Sequence, residues 1–177
     1  LAGCSARRCE CRVAMPHKRV ATTQCARQCR QKWDIWHFCI PYAEEATFDD
    51  PAFSLKGQRD IAGMWRMLCA ATLAKNRADW RLEFSDVHAD DSSGQVHWEA
   101  HYRFSVSSRP VHNRVEADFT FTPDGLIASH TDRFDFWRWS RQALGMGGWV
   151  LGWAPFFRKQ VRVQTHAALA HYLAKHP

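Results

Sequence analysis

The stretch LIASHTDRFDFWRWSRQ, Leu126 to Gln142, decides how this chain is read. The Thr122-Pro123-Asp124-Gly125 turn delivers the chain into it, and a strand begins there. Side chains of a strand alternate between its two faces. Ala128, His130, Asp132 and Phe134 therefore share one face, and Ser129, Thr131, Arg133 and Asp135 the other. An imidazole and a carboxylate on one face, followed by an aromatic ring, make a mixed polar and apolar wall that suits a small-molecule pocket. The same spacing also fits a wet sheet surface or a buried structural pair, and the residues alone leave those readings open.

Three more strands precede this one. Trp80 to His88 alternates Trp80, Leu82 and Phe84 against Arg81, Glu83 and Ser85. Gln95 to Ser107 keeps period two throughout, and Asn113 to Phe121 places Val115, Ala117, Phe119 and Phe121 on one side. The Asp90–Gly94 and Ser108-Arg109-Pro110 turns are short, which makes neighbouring strands antiparallel. Strands apolar on one side only form a sheet that needs a helical cover. Ile61, Met64, Trp65, Leu68 and Cys69 supply one at helical spacing, in a helix predicted from Gln58 to Asn76. Ahead of that helix, Ala43 to Phe53 reads as a short extended piece, with Pro51 holding Asp50 extended. The expected fold is α+β: a curved antiparallel sheet wrapped around helices, the cystatin-like cone, with a C-terminal helical extension.

That extension is predicted over Val161 to Lys175, with Val161, Thr165, Ala168, Leu169 and Tyr172 on one side. Before it runs ALGMGGWVLGWAPFF, Ala143 to Phe157, which is uncharged and glycine-rich. It is shorter than the roughly 20 residues a membrane span requires. It suits a cap on the sheet's open mouth or a subunit contact. The less favoured role is a membrane contact through Trp149, Trp153, Phe156 and Phe157, beside Arg158, Lys159 and Arg162.

Composition narrows the class. With 177 residues and 46% hydrophobic content, the chain suits one domain with a real core. Nine Trp and eleven Phe imply a core or cavity built from flat rings. The formal charge is +6, but residues 1–32 are rich in Lys and Arg and contain one acid, Glu10. The basic excess belongs mostly to that segment, so the domain is not expected to bind nucleic acid. Six of the seven cysteines lie in the first 39 residues. Cys9, Cys11, Cys25 and Cys29 do not have the spacing of a common zinc finger or ribbon. Residues 1–40 are expected to be a basic, poorly ordered Cys/Arg-rich segment, 41–142 the domain, and 143–177 the hydrophobic loop and final helix. The abrupt change in usage near Ile40 also fits a first segment read from another frame or start, which an intact mass of the natural product would test. No metal and no cofactor are expected, and a cytoplasmic location is the default expectation.

One helix followed by four long strands, with EATFDDP (45–51), GQRDIAGMW (57–65) and FTFTPDGLIASHTDRFD (119–135), resembles the nuclear transport factor 2-like superfamily. Its members include ketosteroid isomerases, limonene-epoxide hydrolases and SnoaL-like polyketide cyclases. The resemblance covers roughly residues 42–142. In ketosteroid isomerases an Asp just before the matching proline is the general base, and Asp50 holds that place. The acid of their oxyanion hole falls on Ala117, and no Tyr stands at the matching place in the first segment. Asp132 matches one carboxylate of the limonene-epoxide hydrolases, and Asp135 the last residue of the same run. The partner carboxylate and its Arg fall near Ala100 and Trp98.

Together these imply a small-molecule-binding cone, an isomerase, cyclase or hydrolase working by acid–base chemistry on a hydrophobic, oxygen-bearing substrate. Asp50, His130 and Asp132 are the candidate catalytic residues. Trp65, Trp98, Tyr102, Phe119 and Phe134 are the candidate ligand-binding walls. A non-catalytic carrier or dimeric interaction module is the alternative, and the superfamily resemblance implies a homodimer.

Overall fold

The computed structural model describes residues 42–75 and 79–176. The expectations for residues 1–40 lie outside the described residues. Six strands form one sheet: β1 (Tyr42–Asp49), β2 (Ser54–Lys56), β3 (Arg81–Ala89), β4 (Ser93–Arg103), β5 (Pro110–Phe121) and β6 (Ile127–Arg133). The spatial order is β2-β1-β6-β5-β4-β3. From β3 to β6 the chain is an antiparallel meander, as one-sided strands joined by short turns require. One pairing differs from the antiparallel expectation: β1 runs parallel to β6. The extended piece before the first helix thus becomes a strand of the same sheet and folds back on itself as the β1–β2 hairpin.

Among the described residues, four helices accompany the sheet: α1 (Gln58–Lys75), α2 (Phe136–Leu144), α3 (Met146–Leu151) and α4 (Pro155–Lys175). Gly57 starts α1 from a φ of 98°, a backbone that L side chains rarely adopt. The predicted stripe holds over the first turns, where Ile61, Met64 and Trp65 are buried. It fails at Leu68, which is exposed, and Met67 packs on the core instead. Val161 and Leu169 of α4 are buried as expected, but Ala168 is exposed, and Leu173 lies against Gly63 of α1.

Element ends moved for local reasons. β4 stops at Arg103 rather than Ser107, because the chain turns there: Phe104 N donates to Arg109 O at 2.9 Å, and Ser108 takes a φ of 58°. β6 stops at Arg133, because Asp135 caps α2 by accepting from the Arg138 N–H. The helix predicted from Val161 begins at Pro155, a residue whose fixed φ suits a first helical position. The glycine-rich stretch contains α3, and Gly148 lets it sit directly on α2. A Cβ there would lie 1.9 Å from the Ser140 carbonyl oxygen. No helix among the described residues is long and apolar enough to cross a membrane.

The core has two parts. One gathers Tyr42, Ala46, Phe48, Phe53, Leu55, Ile61, Met64, Trp65, Ile127 and Leu169 between the sheet, α1 and α4. The other gathers Val111, Phe136, Trp139, Ala143 and Val161 under α2. Of the candidate wall residues, Trp65 and Phe119 belong to the first part and Tyr102 and Phe134 to the second.

Candidate active site

Strand register places the central side chains. Phe48 of β1 and Phe119 of β5 both pair with His130, and Ala117 pairs with Asp132. All lie on the face covered by α1. His130 and Asp132 are each only 3% exposed. His130 Nε2 and Asp132 Oδ1 are 2.9 Å apart. Phe119 at 4.2 Å and Phe48 at 4.9 Å between ring centroids enclose the imidazole, and Trp65 stacks on it at 6.1 Å.

Tyr42 and Trp65 extend the polar pair into a file. Tyr42 Oη lies 2.7 Å from His130 Nδ1, and Trp65 Nε1 donates to Tyr42 Oη at 3.2 Å. Trp65 N–H can only donate, and a carboxylate accepts. The pattern closes with Tyr42 O–H donating to Nδ1 and His130 Nε2–H donating to Asp132. Each group in the file is thereby satisfied, as burial demands. Burial drives the Tyr42 phenol well above its ordinary range, with the Trp65 hydrogen bond opposing and the Asp132 charge adding.

Asp50 follows β1 in the turn to β2. Its Oδ1 accepts from the N–H groups of Ala52 at 2.6 Å and Phe53 at 2.5 Å, the bonding of an Asx turn. Among the described residues nothing donates to Oδ2. Burial pushes the carboxyl up to about 7. The two N–H groups pull it down, the charge of Asp132 raises it, and Arg162 lowers it. Asp50 is thus near the midpoint between acid and base at neutral pH, where a proton-transfer group is most effective. Burial also raises the Tyr102 phenol to about 12, and the Asp50 charge adds to the effect.

The five wall residues split into groups. Trp65 and Phe119 contact His130. Tyr102 accepts from Trp139 Nε1 at 2.9 Å, and it packs with Phe134 on the second core cluster. Phe134 lies beyond the end of β6, with its ring 6.5 Å from that of Trp139. Trp98 stands on β4 between Phe84 and Val115, half-exposed, and belongs to neither core cluster. Asp135 is the exposed cap of α2.

Two residues of the site were not anticipated. Tyr42 shares its buried face with Ala46 and Phe48, an alternation that was visible in the sequence. Arg162 of α4 clamps the Asp50 turn. Its Nη2 donates to the Asp50 carbonyl at 2.5 Å and to Asp49 Oδ1 at 3.3 Å, and its Nε reaches the Pro51 carbonyl at 3.3 Å. Thr165 Oγ1, one turn on, donates to the Ala52 carbonyl at 2.6 Å. No sequence signal pointed to these contacts across 111 to 113 positions.

The sequence profile of the SnoaL-like domain matches residues 30–130. The chain belongs to the SnoaL-like domain family. Among solved structures, this SnoaL-like domain is similar to SalBIII, described as an epoxide hydrolase/cyclase-like enzyme in pyran ring formation in the polyether salinomycin. The TM-score is 0.50 at 18% identity, over 67% of this chain and 90% of that one. A nuclear transport factor 2-like protein from Exiguobacterium gives a TM-score of 0.49 at 13% identity, over 67% of this chain and 98% of that one. One from Anabaena variabilis gives 0.49 at 16% identity, over 70% and 96%. No curated protein matches the chain.

Proposed function

We propose that this SnoaL-like domain is an acid–base enzyme acting on a hydrophobic, oxygen-bearing small molecule as an isomerase, cyclase or hydrolase. The observation that carries the reading is the buried file Trp65–Tyr42–His130–Asp132, together with the Asp50 carboxylate after β1, which among the described residues is bound through Oδ1 alone. Asp50 takes the proton through its free Oδ2. Asp132 holds His130 in one tautomer and orientation, as the acid of a hydrolytic triad does. The Tyr42 O–H turns from His130 Nδ1 to donate a hydrogen bond to the developing oxyanion, and Asp50 hands its proton back to the product. Tyr102, Phe119 and Phe134 serve as apolar wall. The ring-forming chemistry named for SalBIII supports the substrate class, since epoxide opening and ring closure both need one acid and one base.

The test is turnover of cyclic epoxides and β,γ-unsaturated ketones by wild type, Asp50→Asn and Asp132→Asn. Both variants losing turnover while retaining ligand binding supports the enzyme. Turnover unchanged in both eliminates Asp50 and Asp132 as its catalytic groups, and binding with no turnover by wild type eliminates the enzyme.

A second reading, a carrier or dimeric interaction module, is favoured by the closeness of the rings around His130, which leaves the imidazole 3% exposed. It predicts binding with no turnover in any variant. A membrane contact is a further proposal, supported by the exposure of Trp149, Trp153 and Phe156 near Arg158 and Lys159. Phe157 instead faces Phe136. Liposome flotation of wild type against a Trp149→Ala/Trp153→Ala double variant decides it. The proposal places the chain in the cytoplasm, where a free thiol such as Cys69 stays reduced.

A further inference from the structure

The outer face of the sheet, opposite the file, carries a cluster that the acid–base reading does not use. Glu99 and His101 are two residues apart on β4, so they share a face. His112 of β5 is the direct cross-strand partner of His101. The two imidazoles stack at 4.0 Å between centroids with 17° between planes. One ligand atom from each of the three residues lies within 4.8 Å of the other two.

We infer that Glu99, His101 and His112 form a surface site for a borderline divalent cation, zinc being the type case. Two imidazoles and a carboxylate are a donor set that zinc takes with further positions open to water. Nitrogen donors argue against calcium or magnesium. Ligand atoms about 2.1 Å from a tetrahedral zinc sit roughly 3.4 Å from one another, so small side-chain rotations close the remaining gap.

The local charges agree with this assignment. The Glu99 carboxylate lies between His97 and His112, and both contact it. A guanidinium can only donate, so His101 Nε2 presents its lone pair to Arg81. That lone pair already faces a cation: Arg81 Nη2 lies 3.3 Å from His101 Nε2. The other basic neighbour is Arg114, whose Nε is 3.6 Å from Glu99 Oε1. The side chains of Arg81 and Arg114 are 64% and 54% exposed, so both are free to swing away. His97 Nε2 also reaches Glu99 Oε1, at 3.3 Å, and Glu99 Oε2 meets His112 Nε2, a contact that a metal held between the two would replace. Beside the cluster opens a groove of about 590 Å³ lined by Asp79, Arg81, His101, Tyr102, His112 and Gln142 among others, with room for metal-bound water.

The test is calorimetric titration of the full chain with zinc chloride after its thiols have been alkylated, which removes the cysteines as competing ligands. Wild type should take up one equivalent that His101→Gln/His112→Gln loses. Arg81→Ala, which removes the competing cation, should bind several-fold tighter. Equal uptake by wild type and the double variant overturns the site, as does an Arg81→Ala variant that binds no tighter. Should the double variant fail to fold, Glu99→Gln carries the same comparison at a single half-exposed carboxylate.

Discussion

Tyr42 and His130 stand 88 positions apart in sequence, yet the phenol oxygen of one lies 2.7 Å from Nδ1 of the other. The parallel pairing of β1 on β6 makes this possible, because it sets the start of β1 beside the strand that carries His130. Tyr42→Phe removes the middle link of the file. His130 Nδ1 then loses the hydroxyl it faces in the core. Leaving a buried polar group unsatisfied costs about 1–3 kcal/mol, and urea unfolding should show a loss of that size. A loss no larger than an exposed Tyr→Phe change would mean that the hydroxyl is not part of the file.

Asp132→Ala acts at the other end. It strips His130 Nε2–H of its acceptor and frees the ring to rotate. We expect turnover to fall by about two orders of magnitude or more, as when an orienting carboxylate is removed from a histidine base. Asp132→Asn keeps an acceptor oxygen and the side-chain volume, so its stability should stay closer to wild type. Comparing kcat with the unfolding midpoint separates the two effects.

The raised Asp50 carboxyl makes stability depend on pH. In the unfolded chain it titrates near 3.8, and in the folded protein near 7. Between those values the folded state holds a proton that the unfolded chain has lost. Its contribution to stability is therefore largest below about 4 and falls as pH rises towards 7, by at most about 1.4 kcal/mol per pH unit. Asp50→Asn removes this slope. Unfolding measured from pH 4 to pH 8 should show the variant gaining on wild type as pH rises. If Asp50 is the base, kcat/KM of the wild type should rise through the same region.

Arg162 is expected to act through Asp50. Arg162→Ala loses the clamp on the Asp50 and Pro51 carbonyls and a positive charge that lowers the Asp50 carboxyl. The Asp50 titration should then move further up, which carboxyl carbon NMR can follow. The pH profile of turnover should move the same way. A purely structural role for Arg162 would lower stability and leave the titration in place.

Gly148→Ala tests the close seat of α3 on α2. In an open helix the change would stabilise by about 1 kcal/mol. Here the added Cβ meets the Ser140 carbonyl oxygen at 1.9 Å, and neither backbone can yield freely. We expect a net loss of about 1–3 kcal/mol, seen as a lower thermal midpoint.

The sequence by itself determined the meander, because one-sided strands and short turns impose a two-residue period that needs no knowledge of the partner. It determined most of α1 and α4 for the corresponding reason, an apolar stripe at helical spacing. It also determined that His130 and Asp132 share a face, since that relation spans two residues of one strand. Only the tertiary structure decided that this face is buried, and that Tyr42 and Trp65 complete the file. It alone decided that Arg162 holds the Asp50 turn, and that Trp98 and Phe134 stand apart from His130. Those relations arise where β1 pairs with β6 and where α4 docks on a distant turn. Contacts between segments some ninety or more positions apart depend on how the whole sheet curves and on which helix covers it, and no local period in the chain encodes either.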